Sequence, residues 1–119
     1  MKTLYKYEFA EIGGKNKVNE FLKKLEKNER AKIFAYIYKL IEILNLGLLP
    51  KETLSKNLQN GIFELKIPLK NKISRCLYFF EKDGLTIFTN GFIKETQKTP
   101  LSEINKAKNI KDFYEGIIK

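Results

Sequence analysis

The alternation of apolar and polar positions is clearest from residue 61 to 100, GIFELKIPLKNKISRCLYFFEKDGLTIFTNGFIKETQKTP. From Ile62 to Ile67, the residues Phe63, Leu65 and Ile67 fall on one face and Ile62, Glu64 and Lys66 on the other, the period of a strand with one core face. Between Pro68 and Asn71 the chain is expected to reverse, because proline cannot donate to a ladder and asparagine tolerates a left-handed turn. Lys72 to Phe80 (KISRCLYFF) reads as a central strand, aromatic and branched, with Arg75 in its middle. Asp83-Gly84 turns the chain into a third run, Leu85 to Phe92, in which Gly91 is a candidate bulge. The three runs predict an antiparallel meander.

Outside the meander the period changes. Leu4 to Phe9 alternates, with Tyr5, Tyr7 and Phe9 on one side, and predicts a first strand that ends before Gly13-Gly14. From Asn16, Val18, Phe21, Leu22 and Leu25 repeat at helical spacing. A second helix is expected from about Glu29 to Leu46 on Ile33, Phe34, Ile37, Leu40, Ile41 and Leu44, with Gly47 as its C-terminal cap. The two helices should form a hairpin on the core face of the sheet. Residues 48–60, LLPKETLSKNLQN, read as a loop with a brief turn near Thr53 to Lys56. After Pro100, Ser102 is expected to cap a last helix reaching Phe113 and Tyr114. The order strand, two helices, three strands, helix predicts one α+β domain over residues 1–119. It has two layers, with a helical hairpin and a C-terminal helix on a small, mainly antiparallel, four-stranded sheet.

Length and charge narrow the function classes. At 119 residues and 14.0 kDa the chain supports one core. A net charge of +9 directs it toward acidic partners: nucleic acid, ribosome, an anionic membrane or an acidic protein. Basic residues are spread evenly along the chain, so any patch must be made by folding. The sequence contains no histidine, which argues against a zinc site, a Ser-His-Asp triad and a Cys-His dyad. The single cysteine, Cys76, has no internal disulfide partner and reads as a small buried hydrophobe. The start, MKTLYKYEFAE, has no sustained apolar stretch, and no run approaches the roughly 20 apolar residues of a bilayer span. A soluble, cytoplasmic protein with no membrane partner is expected.

Candidate chemistry lies in the meander and its exit. If Lys66 and Arg75 share a face of neighbouring strands and Lys94 ends the third, their heads converge, with Lys98 close behind. Arginine offers a planar fork to phosphate oxygens, and lysine a compact charge that burial shifts toward neutral, suited to general acid or base work. Such groups can hold a scissile RNA phosphate and assist proton transfer from a 2′-hydroxyl with no metal or other cofactor. Arg75, flanked on its face by Ile73 and Leu77, needs a partner if covered, and Glu64 in a structural ion pair is the alternative reading. Phe92 is a candidate for stacking on a base, and Lys51 and Lys56 for the border of a cleft.

Several of these residues carry a resemblance. Gly61-Ile62-Phe63-Glu64-Leu65-Lys66, then Arg75 in an apolar strand, then Gly91-Phe92-Ile93-Lys94-Glu95-Thr96-Gln97-Lys98-Thr99-Pro100 leading into Glu103-Ile104 and Ala107, resemble the phage-derived, HigB-like branch of the RelE/ParE toxin superfamily. Lys-x-Thr-Gln-Lys-Thr-Pro is the specific part. The resemblance implies the toxin of a type II toxin-antitoxin system, a metal-independent, ribosome-dependent mRNA endonuclease that inhibits translation. Its implied partners are a cognate antitoxin, expected to be a helix-turn-helix DNA-binding protein, the ribosome and mRNA, with operator DNA reached only through the antitoxin. By position, Arg75, Lys94 and Lys66 match catalytic residues, and Lys98, Phe92 and Lys56 are assigned to RNA binding. Two positions depart from the pattern: Asn90 stands where a histidine is frequent, and the C-terminal tyrosine of RelE has no clear counterpart, Tyr114 lying far along the last helix. A ParE-like toxin that inhibits DNA gyrase by protein binding, and an inactive toxin-fold binding module, are the alternatives.

Overall fold

The computed structural model describes residues 4–95 and 98–116. In chain order the elements are β1 (Lys6–Phe9), α1 (Lys17–Lys23), α2 (Lys27–Asn45), β2 (Ser55–Gln59), β3 (Ile62–Leu69), β4 (Lys72–Phe80), β5 (Leu85–Lys94) and α3 (Leu101–Tyr114). The strands form one sheet in the order β1-β5-β4-β3-β2, antiparallel except for the parallel pairing of β1 with β5.

Five strands rather than four make up this sheet. The additional one, β2, lies within the segment expected to be a loop. It pairs with β3 through Ser55 to Leu65 and Lys56 to Glu64. As an edge strand it has a single apolar residue, Leu58, so hydrophobic alternation does not mark it. Asn60-Gly61, both at positive φ, form the tight turn into β3, and such a pair is the strongest short hairpin signal this segment carries. At the other end of β3, Pro68 stays in the strand and the reversal is made by Lys70 and Asn71, the latter at φ 61°.

The expected two-layer arrangement is also corrected, because helices pack on both faces of the sheet. On one face, Val18, Phe21 and Leu22 of α1 and Ile33, Ile37 and Leu40 of α2 bury Leu65, Ile67, Cys76, Tyr78 and Phe88. Helix α1 lies over β5. Helix α2 crosses from the β3–β4 end, where Glu29 pairs with Lys72 at 3.0 Å, to β1, where the Asn45 amide brackets the Tyr5 backbone. Burial pushes the Cys76 thiol up to about 12, so it stays protonated and packs as a hydrophobe. On the opposite face, Ala107 and Ile110 of α3 cover Ile62, Leu77, Phe79, Ile87 and Phe92. Residue Pro100, not Ser102, occupies the α3 N-cap, and its carbonyl accepts from the Glu103 and Ile104 amides at 3.0 and 3.2 Å.

One irregularity in β5 decides which side chains meet. Leu77 pairs with Asn90 and Tyr78 with Phe88, which leaves Thr89 as the extra residue of a bulge. Before the bulge, odd-numbered Ile87 faces α3. After it, even-numbered Asn90, Phe92 and Lys94 do so, opposite Leu77, Arg75 and Ile73. Gly91, the position expected to bulge, instead provides clearance: a Cβ there would stand 2.4 Å from the Phe21 ring. No helix among the described residues is long and apolar enough to cross a membrane.

Candidate functional site

Helix α3 covers only part of its sheet face. The uncovered part forms the floor of an open cleft of about 550 Å³, walled by β2 on one side and by Lys98, Thr99 and Ile104 at the entry to α3 on the other. Register fixes the floor. Lys56 of β2 stands opposite Glu64 of β3, Lys66 of β3 opposite Arg75 of β4, and Ile73 of β4 opposite Lys94 of β5. Directly opposed residues in a sheet share a face, so the side chains project into the same space. The cleft therefore gathers Lys56, Lys66, Arg75, Lys94 and Lys98 around the carboxylate of Glu64.

Arg75 is the buried member of this group, 7% exposed. Its Nη1 donates to the Ser74 carbonyl at 3.0 Å, and its Nε lies 3.2 Å from Oε1 of Glu64. That contact is an ion pair by distance but not an aligned hydrogen bond, and Nε has no hydrogen-bond acceptor among the described residues. Desolvation lowers the Arg75 pKa, against which the Glu64 carboxylate favours the charged form. Glu64 itself is 1% exposed and also accepts a hydrogen bond from the Thr99 hydroxyl.

Lys94 is pushed below the ordinary lysine value, first by desolvation and then by the like charges of Arg75, Lys66 and Lys56, with Glu64 opposing. A lysine in this setting yields a neutral amine more readily than one in water. Lys66 and Lys98 line the same cleft, and Lys56 sits at its β2 wall, on the strand that the pattern of residues concealed.

The remaining expected residues lie elsewhere. Phe92 is 9% exposed and packed in the α3-side core, with its backbone opposite Arg75. Asn90, 2% exposed, is tied beneath the start of α3, where its amide donates to the Glu103 carboxylate at 3.0 Å and carbonyl at 3.2 Å. The Thr89 hydroxyl donates to Asn90 Oδ1 at 2.6 Å, so the same network braces the bulge. Tyr114 packs its ring edge on Phe79, and its hydroxyl accepts from the Glu11 amide at 3.0 Å, a structural role away from the cleft. Lys51 lies outside the cleft lining, and Thr96 and Gln97 of the motif lie outside the described residues. Thr99 is the cleft residue whose role the pattern did not disclose, since its hydroxyl finds Glu64 only through the fold.

The family comparison places this small α+β domain, whose last helix leaves a strip of basic sheet open, among the RelE/ParE-like toxins. Residues 20–112 match the family described as phage derived protein Gp49-like (DUF891), and the chain belongs to that family. The matched segment runs from α1 to α3 and contains all the cleft residues named above. The family is toxin-like and is associated with RelE-like toxins that act as ribonucleases. No curated protein matches the chain.

Proposed function

We propose that this protein is a toxin of a type II toxin-antitoxin pair, of the HigB-like branch, that cleaves mRNA in the ribosomal A site of the cytoplasm and is neutralised by a cognate helix-turn-helix antitoxin. The observation that carries the reading is the convergence of Lys56, Lys66, Arg75, Lys94 and Lys98 from β2, β3, β4, β5 and the α3 entry onto one cleft. Cations from five segments around a single carboxylate match a phosphodiester chain better than a neutral or basic ligand.

The chemistry assigns a role to each. Arg75 holds the scissile phosphate and offsets charge that builds on its oxygens. Lys94, as amine, takes the proton of the neighbouring 2′-hydroxyl while O2′ bonds to phosphorus and the P–O5′ bond breaks. Lys66, as ammonium, returns a proton to O5′. The products are a 2′,3′-cyclic phosphate and a 5′-hydroxyl, and solvent restores both lysines. Lys98 and Lys56 hold the flanking backbone, and operator DNA is reached only through the antitoxin.

Cleavage of a translated mRNA by the purified protein, with and without ribosomes and with the new ends identified, tests this function. Ribosome-dependent cuts bearing cyclic phosphate and 5′-hydroxyl ends are expected. A folded, growth-arresting protein that leaves mRNA intact would contradict it.

A further inference from the structure

The cleft holds one carboxylate among five cations, and that carboxylate is buried, at 1% exposure, with a hydroxyl aimed at it. An acid placed beside a phosphate subsite repels the ligand unless its charge is engaged. Glu64 is engaged twice: Thr99 donates to Oε1, and the same oxygen stands 3.2 Å from Arg75 Nε. Thr99 directly precedes Pro100, whose carbonyl starts α3, so this hydroxyl also joins the covered half of the sheet face to the open half.

We propose that Thr99 and Glu64 are positioning residues for Arg75: the Thr99 hydroxyl fixes the Glu64 carboxylate, and the carboxylate holds the inner edge of the guanidinium against the floor. The Ser74 carbonyl takes a further donor, Nη1. An arginine on a free stem loses rotamer freedom when it grips a phosphate, and prior fixation removes part of that loss. The inference rests on the nuclease reading of the same cleft.

Glu64 has a second effect at this site. Its negative charge favours the protonated form of Lys94, whereas Arg75, Lys66 and Lys56 disfavour it. Replacing the carboxylate by its amide therefore moves Lys94 titration further down, and the rising limb of cleavage against pH moves to lower pH. This displacement reports the carboxylate's charge at Lys94, separately from its hold on Arg75.

The experiment measures mRNA cleavage in a translating reaction against toxin concentration and pH for wild type, Thr99→Val, Thr99→Ser and Glu64→Gln, with the Tm of each. Thr99→Val is expected to cleave roughly tenfold more slowly, equivalent to about 1.4 kcal/mol of transition-state stabilisation. Thr99→Ser, which keeps the hydroxyl, should remain within about twofold of wild type, and Glu64→Gln should show the displaced limb. Wild-type rates in Thr99→Val, or equal losses in Thr99→Val and Thr99→Ser, would overturn the inference while leaving the nuclease reading intact. A wild type that does not cleave would overturn the nuclease reading itself, and with it the inference.

Discussion

Arg75 and Glu64 form a mutually dependent pair on the sheet, and this changes what a substitution means. Both are nearly fully covered, so Arg75→Ala strands a buried carboxylate beside Thr99. Removing one partner of a buried pair costs about 3 kcal/mol or more, and a fall in Tm is expected along with lost cleavage. Arg75→Met with Glu64→Gln removes both charges and should recover most of that stability without activity; thermal unfolding of the two variants makes the comparison. Lys94 behaves in the opposite sense. Its pKa is depressed in the fold, so between the folded and unfolded values the unfolded chain binds more protons and stability rises with pH. Below both values the charged side chain carries its full penalty. Lys94→Met should therefore raise Tm where the lysine is charged, an advantage that shrinks as pH rises through the lowered folded value, while cleavage disappears; a Tm difference that does not change with pH would show that the ammonium is not under strain. These residues were legible as chemistry before the fold was known, Arg75 most clearly, because an arginine between Ile73 and Leu77 needs a reason. The Thr99 contact was not legible, since 35 positions separate it from Glu64.

At the scale of elements, the bulge at Thr89 does most to build the site. Without its extra residue, Lys94 would point toward α1 and α2 and the cleft would lose its β5 cation. Alternation read straight through Leu85 to Phe92 cannot reveal this, because a bulge reverses the phase of everything after it. Gly91 marks the neighbouring constraint. Gly91→Ala should push α1 away from β5 and destabilise the fold by about 1–3 kcal/mol, with partial recovery in a Gly91→Ala, Phe21→Leu double variant, both read by denaturant midpoint. The edge strand β2 is held from its buried end, where the Ser55 and Tyr78 hydroxyls meet at 2.6 Å and burial pushes Tyr78 up to about 12. Each of Ser55→Ala and Tyr78→Phe should cost about 1 kcal/mol, and the pair together less than the sum, in a denaturation double-mutant cycle. Four strands and three helices announced themselves through apolar periodicity. The strand β2 did not, because an edge strand with one apolar residue shows no hydrophobic alternation.

For the whole molecule, evenly spread charge becomes a directed one. The net charge of +9 has no run in the sequence that reads as a basic tail, yet the sheet register brings lysines from four segments around Arg75. α3 completes this by covering the apolar half of the face and leaving the charged half open. The fold class followed from element order; the placement of α3 on the second face did not, since a short amphipathic helix can pack on either side of a sheet. A site with these cations should bind RNA in a salt-dependent manner, the logarithm of affinity falling with the logarithm of salt at about 0.7 per phosphate neutralised. The Lys94→Ala, Lys98→Ala double variant should reduce that slope, measured by oligonucleotide binding across a salt series.

The most direct measurement is cleavage of a translated mRNA by wild type and by the Arg75→Met, Glu64→Gln protein, with folding verified for both. Ribosome-dependent cuts by the wild type that vanish in the charge-free, folded variant are the predicted result. Equal cutting by the two proteins would place the chemistry outside this cleft and contradict the account.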